Sequence, residues 1–250
     1  MKSIFKTFAL GGMLAFASAS SQAALISISF SADPNAEANF LASLVGPSVT
    51  ETFDSLGTAP GSIGAGHQNN WENRSSSFNT AVGTFTMVTE GQDAAAGNPY
   101  NKDLMIESRA TGEFGRQALA SSDTDLWLDS NDAKLVTWTI GAPLTGSFNA
   151  FGFYISDATD QGATLTLNFS NGTSAQVVLP AFNTNGNVGY VTVKTDMGIV
   201  GGVLDFINSN GTDGWGIDDV TVGRVPEPST LLLMGLGLLG LGAARRRNAA

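Results

Sequence analysis

The sequence predicts an all-β protein, built as an antiparallel β-sandwich of the jelly-roll type. From Lys134 onward, apolar residues alternate with polar ones, which is the period of a strand with one buried face. Asn-Gly pairs separate several of these segments, and no long helical periodicity lies between them. Short alternating strands joined by turns favour a sandwich over an α/β fold.

The first 23 residues predict a signal peptide. Two early lysines are followed by an uncharged, largely apolar stretch from Phe8 to Ala17. Ser21-Gln22-Ala23 places small side chains where a signal peptidase requires them, so we expect cleavage between Ala23 and Ala24. The alternative is an uncleaved N-terminal anchor, but such a span needs about 20 apolar residues and this stretch is shorter.

We expect a single domain over residues 24–224, large enough to bury about 70% of its unfolded surface. A strand is predicted from Leu25 to Ser31, and a short helix near residues 34–45. Asp33 is the expected N-cap, with Pro34 in the first turn. Gly46-Pro47 should end this helix.

Further strands are predicted wherever apolar residues alternate. An early strand is expected at Val82 to Val88, inside a loop-rich stretch from about Pro60 to Asn101. Asn171-Gly172 predicts a type I′ hairpin turn. The apolar positions of the later strands are Val136, Trp138 and Ile140; Phe151, Phe153 and Ile155; Leu165, Leu167 and Phe169; Val188, Tyr190 and Val191 to Val193; Leu204 and Phe206; and Val220 and Val222.

Acidic residues surround the segment Leu126-Trp127-Leu128. The acids are Asp123, Asp125, Asp129 and Asp132, and their spacing loosely resembles a calcium loop. The closing bidentate glutamate of an EF-hand is missing, so solvated loop acids are the favoured interpretation.

Composition narrows the classes of partner. The chain has a formal net charge of −10 and no cysteine, and His67 is its only histidine. Nucleic acid and anionic lipid are unexpected partners because phosphate binding needs clustered basic residues. Thiol catalysis, thiolate zinc sites and multi-histidine zinc sites are excluded as well. Divalent cations and neutral sugars are compatible with this composition.

The C-terminal segment has three parts. Val225-Pro226-Glu227-Pro228-Ser229 forms a stiff segment that cannot join a strand ladder. An apolar stretch from Thr230 to Ala244 follows, and as a helix it would rise about 22 Å, which is marginal for a membrane core of about 30 Å. Arg245, Arg246 and Arg247 should stop translocation and leave the main domain outside. An ordinary single-pass anchor is the alternative.

This order of motif, apolar helix and arginines resembles the PEP-CTERM sorting signal. The resemblance implies recognition of Pro226, Glu227 and Pro228 by exosortase, a membrane enzyme thought to cleave near the motif. It also implies export by the secretion machinery of a Gram-negative bacterium that makes exopolysaccharide, with a transient inner-membrane anchor before release to the cell surface or extracellular matrix.

Asp213-Gly214-Trp215-Gly216-Ile217-Asp218-Asp219 opens the last predicted strand and resembles the closing strand of secreted jelly-roll domains, including lectin-like and carbohydrate-binding modules. In several of those, an acid at this position helps to hold a structural calcium ion. Here Asp218 would pair with Glu51 or Asp54. The alternative is that Asp218 and Asp219 cap a turn and face water.

Three functions follow as hypotheses. The first is a non-enzymatic structural or adhesive protein linked to exopolysaccharide, because no catalytic constellation stands out. The second is a carbohydrate-binding module, in which Trp71, Trp127 and Trp215 stack on sugar rings. The third is a secreted polysaccharide hydrolase, which needs two carboxyl groups facing a cleft.

Overall fold

The computed structural model describes residues 25–57, 73–91, 97, 103–109, 119, 121–122, 124–130, 132–140, 148–157, 163–179, 188–206, 214–226 and 235–237. Most of these residues are in strands. Their bounds are β1 (Ile26–Ser31), β2 (Val49–Glu51), β3 (Asn73–Ser75), β4 (Ser77–Thr80), β5 (Gly83–Glu90), β6 (Leu104–Ser108), β7 (Leu126–Ser130), β8 (Ala133–Thr139), β9 (Phe148–Ser156), β10 (Ala163–Phe169), β11 (Ser174–Val178), β12 (Val188–Phe206) and β13 (Trp215–Gly223). A helix, α1 (Ala36–Ala42), and a 3₁₀ turn at Asp54–Leu56 complete the described elements.

Every strand pair in the described part of the chain is antiparallel, which confirms the predicted all-β class. The hydrogen-bonded order is β3-β6-β7-β13-β9-β12-β8-β5-β4. β12 is 19 residues long and takes part in both faces of the fold. Its first half pairs with β1 and β9, and its second half pairs with β8 and β10.

The core lies between these two faces. Phe85 and Trp138 on one face stack with ring centroids 5.6 Å apart. Trp138 meets Phe151 of the other face edge-on at 5.2 Å, although their strands are not paired. Burial of each such large apolar side chain contributes about 1.5–3 kcal/mol, so this interface between the faces is the main source of stability.

Helix α1 covers part of the outer face of β9 and β12. Phe40 of α1 packs against Tyr190, with ring centroids 5.9 Å apart, and both side chains are buried. The helix begins at Ala36 with Asn35 as N-cap, rather than at Asp33. Asp33 instead accepts the backbone N–H of Asn35 at 2.9 Å and forms a turn before the helix.

Some local predictions are wrong, for identifiable reasons. Leu126-Trp127-Leu128 is not a loop but the buried strand β7, and Asp129 and Asp132 are buried rather than solvated. Leu204 and Phe206 were predicted to form a separate strand, but they belong to the same long strand as Tyr190. At the β10–β11 hairpin only Gly172 has positive φ, so the turn is not type I′, which needs two such residues.

In the described part of the chain, no helix is both long enough and apolar enough to cross a membrane.

Candidate functional site

The junction between the β-domain and the C-terminal segment is held by a side chain of β9. Asn149 Nδ2 donates to the carbonyl of Val225 at 3.0 Å, and its Oδ1 accepts the N–H of Val225 at 2.8 Å. Val225 packs beside Phe40, Ala150 and Tyr190. Pro226 is exposed. The first residue of the predicted sorting motif is therefore part of the folded domain, and the second is exposed.

The start of the predicted mature chain lies at the same place. Leu25 donates its N–H to Asp196 Oδ1 at 2.9 Å and accepts the N–H of Asp196 at 3.3 Å. A cavity of about 240 Å³ separates the two ends, and its lining residues are Leu25, Ser27, Lys194, Thr195, Asp196, Val225 and Pro226. Lys194 Nζ donates to Ser43 Oγ at 2.9 Å, which connects this cavity to the end of α1.

Several predicted site residues lie outside the described residues. They are Ala23 and Ala24 at the signal cleavage position, Trp71, Glu227 and Pro228 of the motif, and Arg245, Arg246 and Arg247. Of the motif residues, Val225 and Pro226 are described.

The second group of predicted residues lies at an irregularity in β13. The register between β13 and β9 shifts between Asp218 and Thr221, and Asp219 has a φ of 49°. We call Asp218 and Asp219 the acidic bulge. Positive φ is uncommon outside glycine, although Asp and Asn tolerate it better than most residues. Asp218 is buried and its Oδ1 accepts the N–H of Asp219 at 2.7 Å.

The electrostatics of the acidic bulge disfavour two full negative charges. Burial raises the pKa of Asp218 well above its usual range, and the charge of Asp219 raises it further. Burial also raises the pKa of Asp219 to about 6, with added repulsion from Glu37, Asp125 and Asp54. Protons or a cation would therefore be favoured at this position.

The two predicted calcium partners of Asp218 differ in their surroundings. β2 pairs with β13 through Val220 and Glu51. The Glu51 carboxylate, however, accepts the backbone N–H groups of Phe53 and Ala81, each at 2.7 Å. Asp54 accepts the N–H of Leu126 at 2.9 Å and also raises the pKa of Asp218. Both carboxylates therefore accept backbone N–H groups, and Asp54 is the one whose charge also raises the pKa of Asp218.

No cluster of three or more acidic or histidine side chains suited to a metal ion occurs among the residues that the structure describes. Calcium binding by Asp218 with Glu51 or Asp54 therefore stays a prediction.

Two of the three tryptophans predicted to stack on sugars are in the core. Trp127 and Trp215 are 0% and 1% exposed. Trp215 Nε1 donates to the carbonyl of Ala133 at 3.1 Å, as a core indole does. In this arrangement neither ring offers a face to a sugar. In the described part of the chain, the exposed large apolar side chains are Leu and Val, and none is aromatic.

Sequence reasoning missed two residues beside the acidic bulge. The pKa of Glu37 on α1 is raised by burial and lowered by a hydrogen bond from Tyr154. Burial, with the negative charge of Glu37, raises the pKa of Tyr154 to about 12. The sequence signal was present but weak, because Glu37 is in the first turn of a predicted helix and Tyr154 is on an alternating strand.

Comparison with known proteins identifies one segment. Residues 224–247 match the PEP-CTERM protein-sorting motif, so the predicted resemblance is confirmed and the chain carries this motif. No curated protein matches the chain.

Solved structures offer distant similarities. The K2 cleaved adhesin domain of Lys-gingipain is 13% identical, with 70% of this chain and 97% of that chain covered and a TM-score of 0.38. A family 29 carbohydrate-binding module is 14% identical, with 42% and 76% covered and a TM-score of 0.27. A glycoside hydrolase family 43 arabinoxylan arabinofuranohydrolase from Bacillus subtilis is 11% identical, with 48% and 24% covered and a TM-score of 0.32. These similarities are too weak to assign a site or an activity.

Proposed function

We propose that this chain, which carries a PEP-CTERM sorting motif, is a substrate of exosortase that reaches the cell surface or extracellular matrix of a Gram-negative bacterium. Its role there is structural or adhesive, non-enzymatic, and linked to exopolysaccharide. The observation that supports this proposal is the motif match at residues 224–247, which begins directly after the last strand of the domain.

The junction supports processing of a folded substrate. Asn149 holds the backbone of Val225, and Pro226 is exposed directly after it. Two prolines around a glutamate favour an extended backbone that does not join the sheet. An enzyme could therefore reach Pro226 without opening the β-domain.

The charge order of the tail supports an outside location for the domain. The apolar stretch at 230–244 would hold the chain in the inner membrane transiently, and the three arginines after it would stay on the cytoplasmic side. Secretion machinery would act first at the signal peptide, and exosortase afterwards at the motif.

The experiment compares processing in a host that has exosortase with processing in an otherwise identical host that lacks it. We expect the intact mass of the secreted protein to show loss of the tail in the first host only. A variant with Pro226→Ala and Pro228→Ala should keep its tail and stay in the membrane fraction. Pro34→Ala, an exposed proline ahead of α1, is the matched control and should be processed normally. Equal processing of the motif variant would contradict the proposal, as would an intact tail on the wild-type chain in the first host.

Structural calcium is a second proposal, favoured by the negative charges around the acidic bulge. Asp218 and Asp54 would supply hard oxygen ligands, which suit calcium. Calcium should then raise the melting temperature of the wild-type protein, and chelator should reverse the rise. Asp218→Asn should remove the effect, while Asp196→Asn, on a distant part of the domain, should keep it. No calcium-dependent shift in the wild type would exclude the site.

Glycan binding and hydrolysis are tested on the same protein. Titration with the producing cell's own exopolysaccharide should detect binding if the domain is a carbohydrate-binding module, and release of reducing ends would reveal a hydrolase. Reducing ends produced by the purified wild-type chain would refute the non-enzymatic role.

A further inference from the structure

We propose that one edge of the β-domain faces the membrane surface while the sorting tail is inserted, and that this edge contacts anionic phospholipid headgroups. We call it the exit edge, and it comprises Leu25, Val45, Lys194, Arg224, Val225 and Pro226. This inference rests on the proposed function, because it needs the tail to occupy a membrane.

Both ends of the mature domain leave from the exit edge. Leu25 is bound to Asp196 through two hydrogen bonds, and Val225 is bound to Asn149 through two more. Leu25 and Val225 line the same cavity. The predicted signal cleavage position is therefore one residue away from the edge that also releases the sorting tail.

The covalent tether between domain and membrane is short. Five Cα–Cα steps join Val225 to Thr230, where the apolar stretch begins, and together they span at most about 18 Å. Hydrogen bonds and packing hold Val225 in the domain, so the tether cannot be lengthened without local unfolding. A domain tethered this closely keeps Val225, and with it the exit edge, within about 18 Å of the start of the apolar stretch.

The chemistry of the exit edge suits a headgroup region. Leu25 and Val45 are 63% and 46% exposed, although both are large apolar side chains. Val45 donates its N–H to the carbonyl of Arg224 at 2.8 Å, so these two residues are adjacent. Lys194 and Arg224 bring two positive charges to this edge against one negative charge from Asp196, in a chain whose net charge is −10. Exposed apolar side chains beside cations are typical of surfaces that rest on anionic membranes.

The tether explains how so acidic a chain could contact anionic lipid. Free in solution, its net charge would oppose binding. Once the tail is inserted, the edge is held near the headgroups at a high effective concentration, so weak local attraction is sufficient. The acidic bulge does not interfere, because Asp218 lies five residues before Gly223, where β13 ends beside the exit edge, and so roughly 16 Å away along the strand.

The chain contains no cysteine, so a single introduced thiol can be labelled uniquely. Ser27→Cys lies in the lining of the exit-edge cavity, and Ala32→Cys lies just beyond the other end of β1, roughly 16 Å away along the strand. Both positions are exposed. The full chain would be produced in a host without exosortase, labelled with a fluorophore, and reconstituted in vesicles of phosphatidylethanolamine, phosphatidylglycerol and a headgroup-nitroxide lipid.

We expect the label at position 27 to lose most of its fluorescence to the nitroxide and the label at position 32 to lose little. Replacing phosphatidylglycerol by phosphatidylcholine should weaken quenching at position 27, because the headgroup charge is removed. Equal quenching at both positions, or stronger quenching at position 32, in protein that floats with the vesicles would refute the orientation. Quenching at position 27 that does not change with lipid charge would refute the contact with anionic headgroups. Protein that does not float with the vesicles would instead refute the membrane stage of the proposed function.

Discussion

Asp219→Asn should stabilise the domain at neutral pH, although it replaces a residue at the candidate site. The pKa of Asp219 is raised by burial to about 6, so the folded state holds its proton more tightly than the unfolded chain does. Asparagine carries no charge and tolerates the positive φ of this position about as well as aspartate. The backbone N–H that binds Asp218 Oδ1 is retained. The substitution therefore removes mainly the unfavourable charge.

The magnitude follows from the two pKa values. A folded-state pKa near 6, against an ordinary value of 3.8, corresponds to about 3 kcal/mol. Asp219 is half-buried, and solvent screening reduces the expected effect to about 1–2 kcal/mol. Because the folded state binds the extra proton, stability is greatest below the unfolded pKa and is lost as pH rises through about 4 to 6. Above that pH range the wild type has the full destabilisation that comes from holding a charged Asp219 in the folded state.

Urea denaturation of wild type and Asp219→Asn at about pH 4 and about pH 8 measures this directly. The two proteins should have similar stabilities at the lower pH, and the variant should be about 1–2 kcal/mol more stable at the higher one. Asp33→Asn, an exposed turn acid that keeps its side-chain acceptor, is the control and should change stability by less than about 0.5 kcal/mol. If calcium occupies the bulge, adding it at the higher pH should narrow the gap by stabilising the wild type. A variant that is no more stable than wild type in chelator would refute the electrostatic reasoning.

Three further predictions test packing and buried polar groups. Glu51→Ala removes the acceptor of two backbone N–H groups and should lower the free energy of unfolding, measured with urea, by about 3–4 kcal/mol. Glu51→Gln should have an intermediate effect. A loss below about 1 kcal/mol for Glu51→Ala would argue against this role. Gly152→Ala would place a Cβ 2.5 Å from Tyr190 Oη and should lower the free energy of unfolding by about 1–3 kcal/mol. Adding Tyr190→Phe in a double variant removes the clashing oxygen and should restore part of this loss. If the losses of the two single variants simply add, this explanation is wrong. Trp215→Phe should cost about 1 kcal/mol more of the free energy of unfolding than Trp127→Phe. The reason is that Trp215 Nε1 donates to the carbonyl of Ala133, whereas Trp127 Nε1 has no hydrogen-bond partner among the described residues. Equal losses in urea denaturation would show that this hydrogen bond contributes nothing.

The alternating half of the chain was predictable because one face of each strand is buried and the other is not. β10 shows this pattern, with buried and half-buried residues in strict alternation from Ala163 to Phe169. β6 and β7 were missed because every residue in them is buried, which removes the period-two signal. The long β12 was predicted as two separate strands, and Gly201 and Gly202 lie between them without ending the strand. They instead allow close backbone approach, since a Cβ on Gly201 would lie 2.5 Å from the carbonyl of Trp138.

One of the two candidate sites was predictable from the sequence, and the other was predictable only in part. The sorting motif was predictable because its information is contained in adjacent residues, and an enzyme that reads an extended peptide needs no fold to recognise it. The acidic bulge depends on charges that the fold brings together from α1, the 3₁₀ turn at Asp54 and the start of β7. Glu37 and Asp125 are far from Asp219 in sequence, so no local pattern indicated that they would lie near it. The predicted position of Glu51 beside the closing strand is confirmed, because β2 pairs with β13.

The positions of these two features relative to each other bear on how the protein would work. The exit edge contains Leu25 and Val225, which lie at the two ends of the β-domain, and the acidic bulge lies in the first half of β13, away from that edge. A domain tethered through Val225 would therefore direct the bulge away from the bilayer. Calcium bound at the bulge would neutralise repulsive carboxylates there without altering the junction at Asn149, since the two sites share no side chain. Sorting and ligand binding would then be separable functions of one domain: Asn149→Ala should leave the calcium-dependent shift in melting temperature unchanged, and Asp218→Asn should leave processing of the tail unchanged.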